Sequence, residues 1–199
     1  MKLINQSVEW ETKPDHPLLT IERAGRTCYQ TDPGKDSKKF VKMILDRGHE
    51  SVLEHVSASV RIITNRGVSH ELVRHRLASY SQESTRYVRL DGGMEFIRPV
   101  WVVDGTPAAV AFMSACSMGE IYYLELLECG WRPEQAREVL PNALKTEVVM
   151  TANMREWRHI LRLRTSKAAH PQMRALMLDA LAGFKWEFPI LFDDILVEE

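Results

Sequence analysis

The stretch from Thr106 to Gly130 carries both the start and the stop signals of a long helix. Threonine at the N-cap can accept a backbone N–H, proline at the first helical position gives up no bond, and glycine past the end accommodates a left-handed turn. Along it Ala109, Phe112, Met113, Cys116, Tyr123, Leu124 and Leu127 recur near helical spacing. Such a stripe is more often core or a subunit interface than a cofactor box. Upstream, Val56, Ala58, Val60 and Ile62 alternate with Ser57, Ser59 and Arg61, which is the period of a half-buried strand. A chain with both features predicts an α+β fold: a twisted, mainly antiparallel sheet flanked by helices, in a single domain over residues 1–199.

Other elements follow from local signals. Residues 1–11 read as an edge strand, and residues 17–26 as a short helix turning Leu18, Ile21 and Ala24 inward. Asp32-Pro33-Gly34 is a turn, and Asp36 or Ser37 caps a helix carrying Phe40, Val41, Ile44 and Leu45 that ends at Gly48. Residues 87–90 and 96–100 read as strands of a hairpin around Asp91-Gly92-Gly93. A short helix, 134–140, stops at Pro141, and residues 146–152 form a further strand. Asn153 caps a helix with Arg155, His159 and Arg162 on its polar side and Met154, Trp157 and Leu161 on the other. A last amphipathic helix spans 171–187, with Met173, Leu176, Met177, Ala180 and Phe184 inward.

Composition excludes several classes. The 199 residues are 45% apolar and 27% charged, ordinary for a globular chain that can bury roughly 70% of its unfolded surface. Neither a signal peptide nor a membrane-length apolar run is visible, so cytoplasm and no membrane partner are expected. With 26 basic and 27 acidic residues the net charge is −1, which predicts no nucleic-acid partner. Cys28, Cys116 and Cys129 form no CxxC pair and read as reduced, mostly buried thiols. No glycine-rich dinucleotide turn or P-loop occurs, so a nucleotide cofactor would have to be held by side chains, for which arginine is suited.

The chemistry concentrates in residues 74–87: Arg74, His75 and Arg76 side by side, then Gln82, Glu83, Ser84, Thr85, Arg86 and Tyr87. Arginine presents a fixed fork of donors for phosphates and carboxylates at any biological pH, and the hydroxyls and amides add short-range partners. Cations near a helix C-terminus are also favourable through the helix dipole alone, and Glu71 is spaced to pair with Arg74 or His75 at i,i+3 and i,i+4. Ser84 is not placed as a nucleophile, because no base lies beside it and no GxSxG elbow surrounds it.

Arg74-His75-Arg76, seven intervening residues and Ser84 together resemble the signature of flavin-dependent thymidylate synthases. Three further blocks are similar to that family in the same order: Gly48 to His55, the Ala136-Arg137 to Pro141 block, and Asn153 to Arg164 followed by Ala169-His170-Pro171-Gln172. The resemblance covers residues 48–195. It implies methylation of dUMP to dTMP, with 5,10-methylenetetrahydrofolate as one-carbon donor and NADPH-reduced FAD as hydride source, in a homotetramer whose active sites lie between subunits. It implies flavin contacts at His49, Ser51, Arg74, His75, Arg76, Gln82, Asn153, Arg155 and His159. It implies pyrimidine-nucleotide contacts at Glu71, Arg74, Gln82, Glu83, Ser84, Thr85, Arg86, Arg137 and Arg164, with Arg164 catalytic. Glu71 and His159 stand where other members carry glutamine and asparagine, which alters one substrate hydrogen bond and the chemistry of one flavin contact. No metal is implied.

Two readings from other classes rest on the same residues. A nucleic-acid-binding module would use the cations interleaved with Tyr80 and Tyr87 to hold phosphates and stack bases, against the neutral net charge. A metal hydrolase would use His49, His55, His70 and His75, although His49 and His55 lack the HExxH spacing.

Overall fold

The computed structural model describes residues 1–28, 30–32, 34 and 36–197. Their elements run β1 (Lys2–Ile4), β2 (Ser7–Thr12), α1 (Pro17–Thr27), α2 (Ser37–Asp46), a 3-10 turn (Glu50–His55), β3 (Ser57–Asn65), α3 (Arg66–Leu72), β4 (Ser79–Gln82), β5 (Glu95–Ile97), α4 (Pro107–Glu128), α5 (Pro133–Ala136), a second 3-10 turn (Arg137–Val139), β6 (Lys145–Asn153), α6 (Met154–Arg164), α7 (Pro171–Glu187) and α8 (Pro189–Phe192). The larger sheet has the order β2-β3-β6-β4 and the smaller pairs β1 with β5. The fold is α+β with a mainly antiparallel main sheet, as the alternation in residues 56–62 led us to expect. Direction is read from the ends of two neighbouring strands. Met154 N–H donates to Val56 O where β6 ends and β3 begins, whereas Arg66 N–H donates to Asn142 O where β3 ends and β6 begins. The strands therefore run oppositely.

The described residues fall into two compact units, each assembled from three separated segments, and β3, β4 and β6 run from one into the other. The first unit comprises residues 1–7, 62–74 and 81–148. Its core gathers Met94, Phe96, Cys116, Tyr123, Leu127, Ala136 and Leu144 against α4. Thr106 caps α4 by accepting from Ala109 N–H, Pro107 opens it, and Gly130 follows with φ +89°. That conformation costs a glycine nothing, so the helix stops where the sequence said it would. Val110, Met118, Ile121 and Tyr122 leave an apolar face of α4 exposed.

The second unit comprises residues 8–61, 75–80 and 149–199. Trp157 on α6 and Phe184 on α7 lie 4.9 Å apart between ring centroids, with Phe192 4.8 Å and Trp10 4.7 Å from Phe184. Trp157 is fully buried and its indole N–H donates to Ala58 O at 3.0 Å. Beside it Arg158, 1% exposed, holds Asp194 through both Nη atoms at 2.7 Å, Glu50 at 3.2 Å and the carbonyl of Leu191. Arg162 joins the same two carboxylates from the outer face of α6.

Two helices leave their strands without any loop. Asn65 ends β3 and caps α3 by accepting from Val68 N–H at 2.8 Å, and Asn153 ends β6 and caps α6 by accepting from Glu156 N–H at 2.9 Å.

Several local expectations are corrected. Residues 1–11 form two strands in different sheets rather than one edge strand, since residues 2–4 find a parallel partner in β5. The hairpin expected over 87–100 does not form; Phe96 is bridged instead to Leu144. Residues 66–77 scan as one helix, but the helix ends at Leu72, and Ser79–Gln82, to which local signals assign no element, is a strand. Cys28 and Cys129 are exposed, and only Cys116 is buried. Pro33 of the expected turn lies outside the described residues. Helix α7 matches its expected span, with all five expected inward residues buried.

Candidate functional site

The first unit holds one array of polar side chains. The basic triplet is reached through α3, whose first residue is Arg66. A cation at a helix N-terminus opposes the dipole, so its place there calls for another partner. Arg66 Nη1 is buried with no hydrogen-bond partner among the described residues. Burial first and the nearby Arg137 cation second pull the guanidinium below its ordinary value, while Glu83 pulls the other way. Arg137 Nη1 donates to Thr85 Oγ1 at 3.4 Å, and Lys145 Nζ reaches Glu83 Oε2 at 3.2 Å. Arg86 Nε pairs with Glu134 at 3.2 Å, and the Arg86 backbone N–H donates to Ser84 Oγ at 3.2 Å. Gln82 commits its amide nitrogen to Ser69 Oγ and Thr146 Oγ1, both at 3.0 Å, leaving its carbonyl oxygen for a ligand. Two arginines pressed together around hydroxyls and one orphaned N–H make a setting for an anion. Glu71 lies on α3, half-buried.

Arg66 was missed by reading the chain. Its signal was available: arginine directly after an N-capping asparagine, where the dipole favours an acid.

In the turn between α3 and β4 the triplet divides. Arg74 and Arg76 are exposed and their side chains make no hydrogen bond or ion pair among the described residues, whereas His75 is only 6% exposed. Arg74 closes the first unit and His75 opens a segment of the second.

The second unit brings three of the expected residues, Asn153, Arg155 and His159, to a cleft of about 670 Å³ that Glu50, Glu54, Leu77, Glu156 and Arg162 also line. This size lies within the range of roughly 300–1,000 Å³ usual for small-molecule sites. Arg155, His159 and Arg162 point outward from α6, one turn apart, as its periodicity predicted. Arg155 pairs with Glu54 at 2.5 Å, and Asn153 keeps its amide N–H groups after its oxygen caps the helix. His49 and Ser51 are exposed at the 3-10 turn.

His75 sits at the centre of a titratable group. Its Nε2 accepts from Arg164 Nε at 3.0 Å, its Nδ1 lies 3.7 Å from Glu156, and its ring is 6.1 Å from that of His159. Burial first, then the charges of Arg164 and His159, push its pKa down to about 4. The unfolded chain takes up this proton near pH 6.5 and the folded chain only near 4. The stability the neutral ring contributes is therefore complete above that window and lost as pH falls through it. Burial raises the Glu156 carboxyl above its usual range, partly offset by His159. His75, Glu156 and His159 bring ligand atoms within 4.8 Å of one another, near enough to share a metal ion, but the Arg164 cation on His75 opposes a second positive charge. His49, His55 and His70 do not belong to that group.

Within the second unit the donor set suits a flavin nucleotide: an unpaired cation in Arg76, a free amide at Asn153 and an imidazole at His159 are donors for an anionic, hydrogen-bonding ligand without a glycine-rich turn.

The chain matches the model of a family described as thymidylate synthase complementing protein over residues 11–190. A flavin-dependent thymidylate synthase of Mycolicibacterium gilvum is 36% identical, the alignment covering 94% of this chain and 83% of the relative. One of Corynebacterium efficiens is 34% identical, covering 96% and 85%. Among solved structures, a UMP/dUMP methylase, PolB, from Streptomyces cacaoi bound with 5-Br dUMP shares the fold with a TM-score of 0.83 at 22% identity, over 97% of this chain and 96% of that one. Family match, identity and coverage agree, and the chain belongs to the flavin-dependent thymidylate synthases.

Proposed function

We propose that this protein methylates C5 of dUMP to give dTMP, taking the one-carbon unit from 5,10-methylenetetrahydrofolate. FAD reduced by NADPH supplies, when bound, the hydride that converts a methylene into a methyl group. The observation that carries the reading is family membership together with an anion setting, Arg66 Nη1 without a partner beside Arg137, that suits a nucleotide phosphate. In this assignment Arg66, Arg86, Arg137, Ser84 and Thr85 bind the nucleotide, with Glu71, Glu83 and the Gln82 carbonyl setting its register. Arg74, Arg76, Asn153, Arg155 and His159 hold FAD with His49 and Ser51 at its edge, and Arg155 exchanges Glu54 for the cofactor. His75, with both ring nitrogens turned to protein groups, offers the flavin its ring face.

Methylation at C5 needs electron density there, and withdrawing positive charge from N3 or polarising a neighbouring carbonyl supplies it. Arg164 stays protonated and cannot be the base. It stabilises negative charge as that develops on the pyrimidine. Cys116 is not suited to be a nucleophile: it is buried, with its thiol pushed up by desolvation.

The exposed apolar side chains of α4, Val110, Ile121 and Tyr122 among them, support a homotetramer in which copies bury this face. No helix among the described residues is long and apolar enough to cross a membrane, which accords with a cytoplasmic assignment.

The test is direct. Purified protein reconstituted with FAD should show a flavin absorbance band that bleaches with NADPH without oxygen, and should form dTMP when dUMP and methylenetetrahydrofolate follow. Failure to bind flavin after reconstitution refutes the reading. A preference for UMP over dUMP would replace the substrate. In the same assay Arg66→Met should raise KM for dUMP on the order of tenfold or more with kcat little changed, as loss of one charge-assisted contact implies. An unchanged KM removes Arg66 from the nucleotide site.

A further inference from the structure

Arg164 is the group on which the proposed chemistry turns, and what holds it is unusual. A guanidinium is most often fixed by a carboxylate, which would cancel the charge that a developing pyrimidine anion needs. Here Nε of Arg164 donates at 3.0 Å to a neutral imidazole, Nε2 of His75. At Nε the side chain is held by a ring lone pair, which adds no negative charge there. The arrangement works in only one of the two imidazole tautomers. The proton must sit on Nδ1, since a proton on Nε2 would face the donor of Arg164 with another donor.

Glu156 stands where that choice is made. Its Oε1 lies 3.7 Å from Nδ1, it is 7% exposed, and it is set by the third position of α6 behind the Asn153 cap. No carboxylate is needed there for the helix: glutamine serves the third position of a capped helix nearly as well as glutamate. Across the ring stand His159, 6.1 Å away, and Tyr80, whose hydroxyl donates to the His75 carbonyl at 3.0 Å. Among the described residues, the acid facing Nδ1 is Glu156.

We propose that Glu156 is a positioning residue for Arg164: acting through His75, it keeps the ring proton on Nδ1 and so keeps the Nε2 lone pair on the guanidinium. The proposal rests on the reading of Arg164 above. It involves no bond making: the proton stays on Nδ1 throughout, and Glu156 acts on Arg164 through His75. As pH falls and Glu156 takes up a proton, its hold on the tautomer goes. The acid limb of the rate profile therefore follows Glu156, raised by burial, and His75, lowered by it, in a ring environment that His159 and Tyr80 complete.

The experiment uses the FAD-loaded protein with 15N-labelled histidine, His75 being assigned by comparison with His75→Asn. Wild type should show Nδ1 protonated and Nε2 with the shift of a bare ring nitrogen. In Glu156→Gln the Nε2–H form should appear, and kcat for dTMP should fall about tenfold to a hundredfold, the cost usual for a partner one step behind an active group. Flavin content and KM for dUMP should stay within about twofold. In a His75→Asn background Glu156→Gln should cost less than about twofold more, because residues acting through one another are not additive.

Three outcomes overturn the proposal: Nε2–H already dominant in wild type, wild-type kcat and tautomer in Glu156→Gln, or a full additional loss in the His75→Asn background. The first does not need Glu156→Gln, so it holds even if that variant folds poorly. Normal turnover by Arg164→Ala would instead sink the function assigned to Arg164, which separates the two failures.

Discussion

Arg164→Ala is expected to fold, to load flavin as wild type does and to lose on the order of a hundredfold or more in dTMP formation at saturating dUMP. The size follows from what is removed: a preorganised cation whose Nε is held in place by a neutral imidazole. At a helix C-terminus Arg164 also complements the dipole of α6, but that is worth at most roughly 1 kcal/mol of stability and nothing in rate. The two roles separate in the assay. Arg164→Lys should recover only part of the activity, because a point charge lacks the planar fork and loses the Nε donor to His75. A variant lacking Arg164 that converts dUMP near the wild-type rate would show that the charge is not used.

The largest effect on stability is expected at Arg158. Arg158→Met keeps most of the buried volume and removes the charge together with the donors to Glu50, Asp194 and the Leu191 carbonyl. Asp194 and Glu50 then face each other with Arg162 alone between them. Breaking a buried pair from one side costs about 3–5 kcal/mol. Asp194 is half exposed and partly rehydrates, so we expect the lower end, about 3 kcal/mol, or a fall in Tm of roughly 6–12 °C for a chain of this size. Burial pushes the Asp194 carboxyl up, but Arg158 and Arg162 outweigh it and hold the group below its ordinary range. Its contribution is therefore present at neutral pH and lost as pH falls, so the gap between variant and wild type should narrow in acid. Flavin affinity should fall as well, since Glu50 lies between His49 and Ser51 on the 3-10 turn. Thermal melts at two pH values decide it; a Tm within about 2 °C of wild type at neutral pH would count against the network.

How much could be read in advance followed the range of the interactions. The spans of α4 and α7 and the cap of α6 were legible because Thr106, Pro107, Gly130, Pro171 and Asn153 act on their own backbone neighbours. Ser79–Gln82 was not, because its polar side chains look like a loop until Gln82 finds Ser69 and Thr146 from two other elements. The pairing of β1 with β5 joins residues more than ninety positions apart, and nothing local in Glu95–Ile97 announces a partner at Lys2–Ile4. Arg158 was overlooked for a different reason. A charged residue at helical spacing reads as surface, and only the carboxylates of Glu50 and Asp194 make it an interior residue. The site divided in the same way: the spaced motif was visible as residue types, whereas the burial of His75 between exposed Arg74 and Arg76 is a property of the fold.

The joints at Asn65 and Asn153 leave no slack between strand and helix. Each residue along β6 alternates faces and each residue along α6 advances by about 100°, so one inserted residue before Asn153 would shift the pairing of β6 with β3 and could not be absorbed by a loop. The direction in which Arg155, His159 and Arg164 leave their helix is thus inherited from the pleat of a strand. Length change during divergence should be barred from these two joints and admitted in the irregular stretch between Arg86 and Glu95, where no regular element would register the extra residue.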